Sequence, residues 1–191
     1  MTMSSRTLLN VVSAAVAMAL ATPLPVNGAT PQRGKARTTV PKPIAANNSI
    51  IALPLNPILP AGQRLCEART PSGLGYTMLR PASGAKPARS DVALVNYIGY
   101  LAATGAVFDQ GMRSPLPVDG VIPGFSEALQ MMAKTGIGRF CIPAAMGYGA
   151  QGSGPIPANA DLVFQVELVD YKTAADVQSM RAAQAVEPPA P

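Results

Sequence analysis

All nine aromatic residues of this 191-residue chain, five tyrosines and four phenylalanines, fall between Tyr76 and Tyr171. Large rings dominate core burial, so the packed core has to form within that stretch. The length suits one ordinary domain, with room for a second only if both are small. Neither flank carries the material for a core of its own, and no internal repeat is visible.

Composition removes several kinds of chemistry. The chain has no histidine, which excludes histidine-based nucleophilic catalysis and histidine-ligated metals. Its two cysteines, Cys66 and Cys141, are too few for the usual zinc ligand sets. There is no phosphate loop of the Gly-x-x-x-x-Gly-Lys-Ser/Thr type, and Gly147-Tyr148-Gly149 lacks the spacing of a dinucleotide fingerprint. No cofactor and no metal are therefore expected. The net charge of +5 is unevenly distributed: residues 66–172 hold eight basic and eight acidic side chains. A neutral domain with a sparse basic arm is a poor nucleic-acid binder, so nucleic acid is not expected as a partner.

The N-terminus reads as an export signal over residues 1–21. Arg6 supplies its charge, Leu8 to Leu20 its mostly apolar run, and Ala19-Leu20-Ala21 a small-x-small cleavage site. A second cut fits after Gly28. The run is shorter than the roughly 20 apolar residues of a membrane span, so no stable membrane insertion is expected after cleavage; an uncleaved anchor is the alternative. A bacterial periplasm follows as the destination. In that oxidising compartment a Cys66–Cys141 disulfide is favoured, with two separate buried thiols as the alternative.

Residues 22–65 read as a flexible Pro/Ala-rich basic arm: residues 22–62 carry Arg33, Lys35, Arg37 and Lys42 and no acid. Within it, the patch Ile50-Ile51-Ala52-Leu53 is suited to local packing. Residues 66–172 form the folded domain, and 173–191 a short helix or disordered tail. Strands are expected at Gly75 to Arg80, Val92 to Leu101, Gly138 to Ile142 and across 161–171. In the last, Leu162, Phe164, Val166 and Leu168 alternate with Val163, Gln165, Glu167 and Val169. Phe125, Ala128, Leu129 and Met132 recur at helical spacing, so Gly124 to Ala133 is one amphipathic helix, stopped by Gly136. One helix covering the apolar face of an antiparallel sheet gives an α+β domain.

Five short motifs run through the same stretch in order: Val95-Asn96-Tyr97-Ile98-Gly99, Val107-Phe108-Asp109, Val121-Ile122-Pro123-Gly124-Phe125, Tyr148-Gly149, and Leu162-Val163-Phe164-Gln165-Val166-Glu167-Leu168. Each is weak alone; their order and spacing are specific. Over residues 73–171 the chain resembles the FKBP-type peptidyl-prolyl cis/trans isomerases. That resemblance implies a bent antiparallel β-sheet wrapped around one short α-helix. It also implies an apolar pocket that accelerates rotation about X-Pro bonds without covalent or acid/base chemistry.

The resemblance further implies site roles. Tyr97, Phe108, Asp109, Ile122, Tyr148 and Phe164 match the catalytic pocket, with the Ile122 N–H and the Tyr148 hydroxyl directed at substrate. Val121, Phe125, Leu116 and Ile156 match substrate-binding positions, Phe125 forming the floor. Two departures stand out. The loop from Asp109 to Val121 is shorter than in compact members, with Leu116 where they often have phenylalanine. Phe125 stands where many have tryptophan. Peptide binding tolerates both; FK506-like macrolides, the other ligands implied, use the full aromatic surface. A carboxylate beside apolar rings needs a partner, and Arg113 is the expected partner of Asp109 at the rim. The implied partners are proline-containing folding polypeptides, and a monomer is expected because the arm lacks long amphipathic helices. The competing readings are a proline-segment binding module or chaperone with little turnover, and an interaction protein using its basic arm on an anionic surface.

Overall fold

The computed structural model describes residues 42–51 and 58–186. The expected signal over 1–21, most of the arm and the end of the tail lie outside the described residues.

Six antiparallel strands form one sheet. They are β1 (Ala68–Arg69), β2 (Gly75–Arg80), β3 (Val92–Leu101), β4 (Val107–Pro117), β5 (Ile137–Ile142) and β6 (Leu162–Lys172). Their spatial order is β1-β2-β5-β6-β3-β4. Helix α1 (Pro123–Met131) lies between β4 and β5 in sequence, and α2 (Ala174–Val186) follows β6. Register shifts at Val95/Tyr97 and Gly99/Tyr100 interrupt the β3–β4 pairing, and bulges of this kind bend and twist a sheet. The result is the α+β architecture expected from the sequence.

The alternation along β6 has a physical origin in two separate cores. Leu162, Phe164, Val166 and Leu168 face α1 and pack with Phe125, Ala128, Leu129 and Met132. Val163 faces the other way and packs with Ile98, Tyr100, Ile51 and Leu59. Pro123 opens α1 at its first turn, where a missing N–H is harmless. The helix ends at Met131, two residues before the expected Ala133, and is stopped at Met132, whose backbone turns extended with φ −96° and ψ 143°, rather than by Gly136. That turn lets Met132 and Ala133 both be buried as the chain passes into β5.

Two further expectations are corrected. The segment after Asp109 is not a loop: residues 107–117 form β4, an edge strand pairing along β3. Pro115, Pro117 and the bulges protect that edge from pairing with another chain. Nor are residues 42–51 and 58–65 a free arm, because they make defined contacts with the back of the sheet. The buried Gln165 side chain accepts from Ile51 N–H at 2.8 Å and donates to Ile51 C=O at 2.9 Å. Arg139, 1 % exposed, donates to Asn47 C=O at 2.6 Å and Leu65 C=O at 3.1 Å. These carbonyls replace water around a guanidinium that burial would otherwise penalise heavily. Of the Ile50–Leu53 patch, Ile51 is buried against Ile98, Tyr100 and Val163 of the sheet rather than locally, Ile50 is exposed, and Ala52 and Leu53 lie outside the described residues.

The Cys66–Cys141 disulfide is formed, with Cα atoms 6.2 Å apart. It joins the start of the domain to β5. In the chain-entropy model, closing a loop of this length stabilises by about 4–5 kcal/mol. Thr173 and Asp176 cap α2 reciprocally. The Thr173 hydroxyl accepts from Asp176 N–H at 3.1 Å, and Asp176 accepts from Thr173 N–H at 3.0 Å.

Candidate functional site

A cavity of about 320 Å3 opens on the helix side of the sheet, lined by Tyr97, Asp109, Leu116, Gly120, Val121, Ile122, Phe125, Tyr148 and Phe164. Its residues come from four directions. Tyr97 projects from β3, Asp109 and Leu116 from β4, Phe164 from β6, and Phe125 from the first turn of α1.

The rings brace one another edge to face. Phe125 and Phe164 lie 5.0 Å apart at 75°, and Tyr97 and Phe125 5.8 Å apart at 76°. Phe108 meets Phe164 at 5.4 Å and 88°. Edge-to-face pairs of this kind are favoured by the ring quadrupoles. The close approach depends on Gly99, which pairs with Asp109 on one side and Phe164 on the other. A Cβ there would lie 2.7 Å from both Phe108 Cζ and Phe164 Cε1. Gly99 lies within a quoted motif, yet its packing role becomes visible only in three dimensions.

Asp109 is held from within the site. Its Oδ2 accepts from the Tyr97 hydroxyl at 2.9 Å, and its Oδ1 accepts from Gln110 N–H at 2.8 Å. Burial, the hydrogen bond to Asp109 and the negative charge of that carboxylate push the Tyr97 phenol up to about 12. The expected Asp109–Arg113 pair is absent from the ion pairs of the described residues. An i, i+4 pair meets on a helix, but on a strand it spans roughly 13 Å. Arg113 has φ 47°, and its N–H donates to Asn96 Oδ1 at 2.7 Å.

Two donors in the site are unengaged. The Ile122 N–H and the Tyr148 hydroxyl have no partner among the described residues. Ile122 precedes α1 with φ −56° and ψ 147°, and its carbonyl is occupied by Phe125 and Ser126 N–H. Tyr148 is 37 % exposed at the rim. A cavity with apolar walls and two free donors suits a largely apolar ligand that carries carbonyl oxygens.

A family model described as FKBP-type peptidyl-prolyl cis-trans isomerase matches residues 83–169. The crystal structure of a peptidyl-prolyl cis-trans isomerase from Pseudomonas syringae pv. tomato is 35 % identical, with a TM-score of 0.51. The match covers 56 % of this chain and 80 % of that one. The chain belongs to the FKBP-type peptidyl-prolyl cis-trans isomerase family. The crystal structure of FkpA from Escherichia coli is 39 % identical, with a TM-score of 0.53; 56 % of this chain and 52 % of that one are covered. The FKBP-type isomerase FkpA of Aeromonas hydrophila is 42 % identical over 112 residues, covering 56 % of this chain and 41 % of its own length. The chain spans about half the length or less of the curated relatives it matches.

Within this FKBP-type domain, eight of the ten residues assigned from sequence line the cavity. The other two do not. Phe108 meets the Phe164 ring edge to face and packs partly buried against the main core. Ile156, 6 % exposed, packs in the main core and bridges to Ser153. Gly120 lines the cavity and was missed, because a glycine in a turn carries no signal that separates lining from bending.

Proposed function

We propose that this protein is a peptidyl-prolyl cis/trans isomerase acting on X-Pro bonds of folding polypeptides in a bacterial periplasm. The observation that carries the reading is the ring-walled cavity with the unengaged Ile122 N–H at its edge. An X-Pro bond prefers trans by only about 0.5–1 kcal/mol, while rotation is slowed by a resonance barrier of about 18–20 kcal/mol. The planar amide separates charge between nitrogen and oxygen, and the twisted amide does not. Apolar walls therefore disfavour the planar form relative to the twisted one, and the gain in rate is differential binding.

In this reading the proline ring rests on Phe125 between Tyr97 and Phe164. The Ile122 N–H and the Tyr148 hydroxyl each take a peptide carbonyl. Asp109 fixes the Tyr97 ring through the phenol, and no residue has to transfer a proton. Leu116 and Val121 complete the wall, and FK506-like macrolides compete for the same surface. The periplasmic assignment rests on the signal read over residues 1–21, on bacterial relatives, and on a disulfide at Cys66–Cys141. No helix among the described residues is long and apolar enough to cross a membrane. A monomer without nucleic-acid contacts is the form in which it acts.

The test is a protease-free X-Pro exchange assay on the full chain. Acceleration by the wild type, reduced modestly by Tyr148→Phe and more by Asp109→Ala, is expected. Full rate in both variants refutes the site. Binding of proline peptides without acceleration refutes the activity and favours a binding module.

A further inference from the structure

A second cleft adjoins the ring-walled cavity. It has a volume of about 270 Å3, and Val121 lines both. The Asp119–Pro123 segment is therefore a ridge with a depression on each side: Gly120 and Ile122 face the first, Asp119 and Pro123 the second. The second cleft has an apolar side, Val121, Pro123 and Met146, and a polar side bearing Asp119, Glu127 and Ser126.

The polar side is set up to receive a donor and an acceptor. Glu127 is held in place by the Ser72 hydroxyl, 2.7–2.8 Å from its carboxylate oxygens. Asp119 makes no hydrogen bond or ion pair among the described residues. Ser126 is 6 % exposed, and its hydroxyl accepts from Gln130 at 3.4 Å and donates to no group among the described residues. Arg89 also lines the cleft and pairs with neither acid. Two carboxylates against one guanidinium leave the cleft negative.

We propose that this cleft is a second subsite of the X-Pro site, taking a lysine or arginine side chain within two residues of the proline. The inference rests on the isomerase reading for the position of the proline. An extended chain advances roughly 3.3 Å per residue, so a peptide whose carbonyl meets the Ile122 N–H crosses the ridge within one or two residues. A long cationic side chain lays its aliphatic stem on apolar surface and keeps its charge at a polar edge. Here the stem lies along Val121, Pro123 and Met146, and the head meets Asp119 and Glu127.

The experiment measures both exchange rate and affinity for end-blocked X-Pro peptides carrying lysine, norleucine or glutamate at the flanking positions, on the full chain. The wild type is expected to show a KM and a Kd about fivefold lower for lysine than for norleucine at low salt, fading as salt is raised. The Asp119→Asn/Glu127→Gln double variant should lose that preference and handle the norleucine peptide as before. Arg89→Gln should enlarge it. Charge-dependent affinity without acceleration would refute the isomerase reading and keep the subsite. Acceleration indifferent to the flanking charge would refute the subsite and keep the isomerase. If no peptide binds, both fall.

Discussion

Replacing Gly99 with alanine adds one methyl group at the point where three strands converge on the pocket. Its Cβ would lie 2.7 Å from Phe108 Cζ, 2.7 Å from Phe164 Cε1 and 2.9 Å from Phe108 Cε2. Comfortable carbon–carbon contact is about 3.5–4.0 Å, so each contact is short by roughly 0.6 Å or more. The strand cannot retreat, because β3 is paired on both sides at this residue. The rings must move, and Phe164 is itself wedged against Phe125 and Tyr97. Overpacking of this kind costs about 1–3 kcal/mol, and a small domain loses about 4–8 °C in Tm per kcal/mol. Denaturant unfolding should show that loss. The exchange assay, run under conditions where the variant is still folded, should show reduced activity as the Phe108–Phe164 pair shifts. A Gly99→Ala protein with wild-type stability and full rate would refute the claim that these rings close over Gly99 to shape the pocket.

Other outcomes follow from the same geometry. Tyr97 should be among the last of the five tyrosines to ionise, near pH 12, in a phenolate absorbance titration. Asp109→Ala should lower that value without returning it to about 10, since burial is the leading cause. Because the folded-state pKa is raised, the folded protein holds the proton more tightly. The associated stability is present below pH 10 and lost as pH rises toward 12; with the ring part-exposed it amounts to about 1 kcal/mol. A Tyr97→Phe variant whose alkaline titration matched the wild type would refute the assignment. Gln165→Ala leaves the buried Ile51 N–H and C=O without partners, at about 1–3 kcal/mol for each unsatisfied group. Hydrogen exchange at the Ile51 amide should then accelerate strongly, and unchanged protection would contradict a sequestered back face. Leu116→Phe should raise affinity for FK506-like macrolides about 2- to 12-fold, the worth of one aromatic contact, as read by calorimetry. No change would remove Leu116 from the wall.

Sequence pattern located β2, β3, β5, β6 and α1 to within a residue or two, because apolar runs bounded by turn residues mark the strands and apolar residues at helical spacing mark the helix. β6 alternates cleanly since each face meets its own core. β4 was hidden: Gly111, Pro115 and Pro117 look like turn residues, and the bulges around Arg113 break the alternation. The segment over 42–51 and 58–65 was equally opaque, because its order comes from distant polar partners. Gln165 and Arg139 read as ordinary polar residues until the fold shows them buried against its carbonyls and amide. At the site, the ring identities were legible through motif order. The partner of Asp109 was not, since i+4 spacing has meaning only after helix and strand have been told apart. The two cavities that share Val121 arise from how a loop crosses between β4 and α1, which no periodicity encodes.

In the proposed mechanism an X-Pro bond rotates while its proline lies against these rings. The direct measurement is exchange NMR on an X-Pro peptide with a catalytic amount of the full chain, read together with intermolecular NOEs. Cis/trans exchange cross-peaks that grow with protein concentration, with contacts from the proline ring to Phe125 and Phe164, are the predicted result. Exchange that stays at the uncatalysed rate, or proline contacts that fall elsewhere on the protein, would contradict the account.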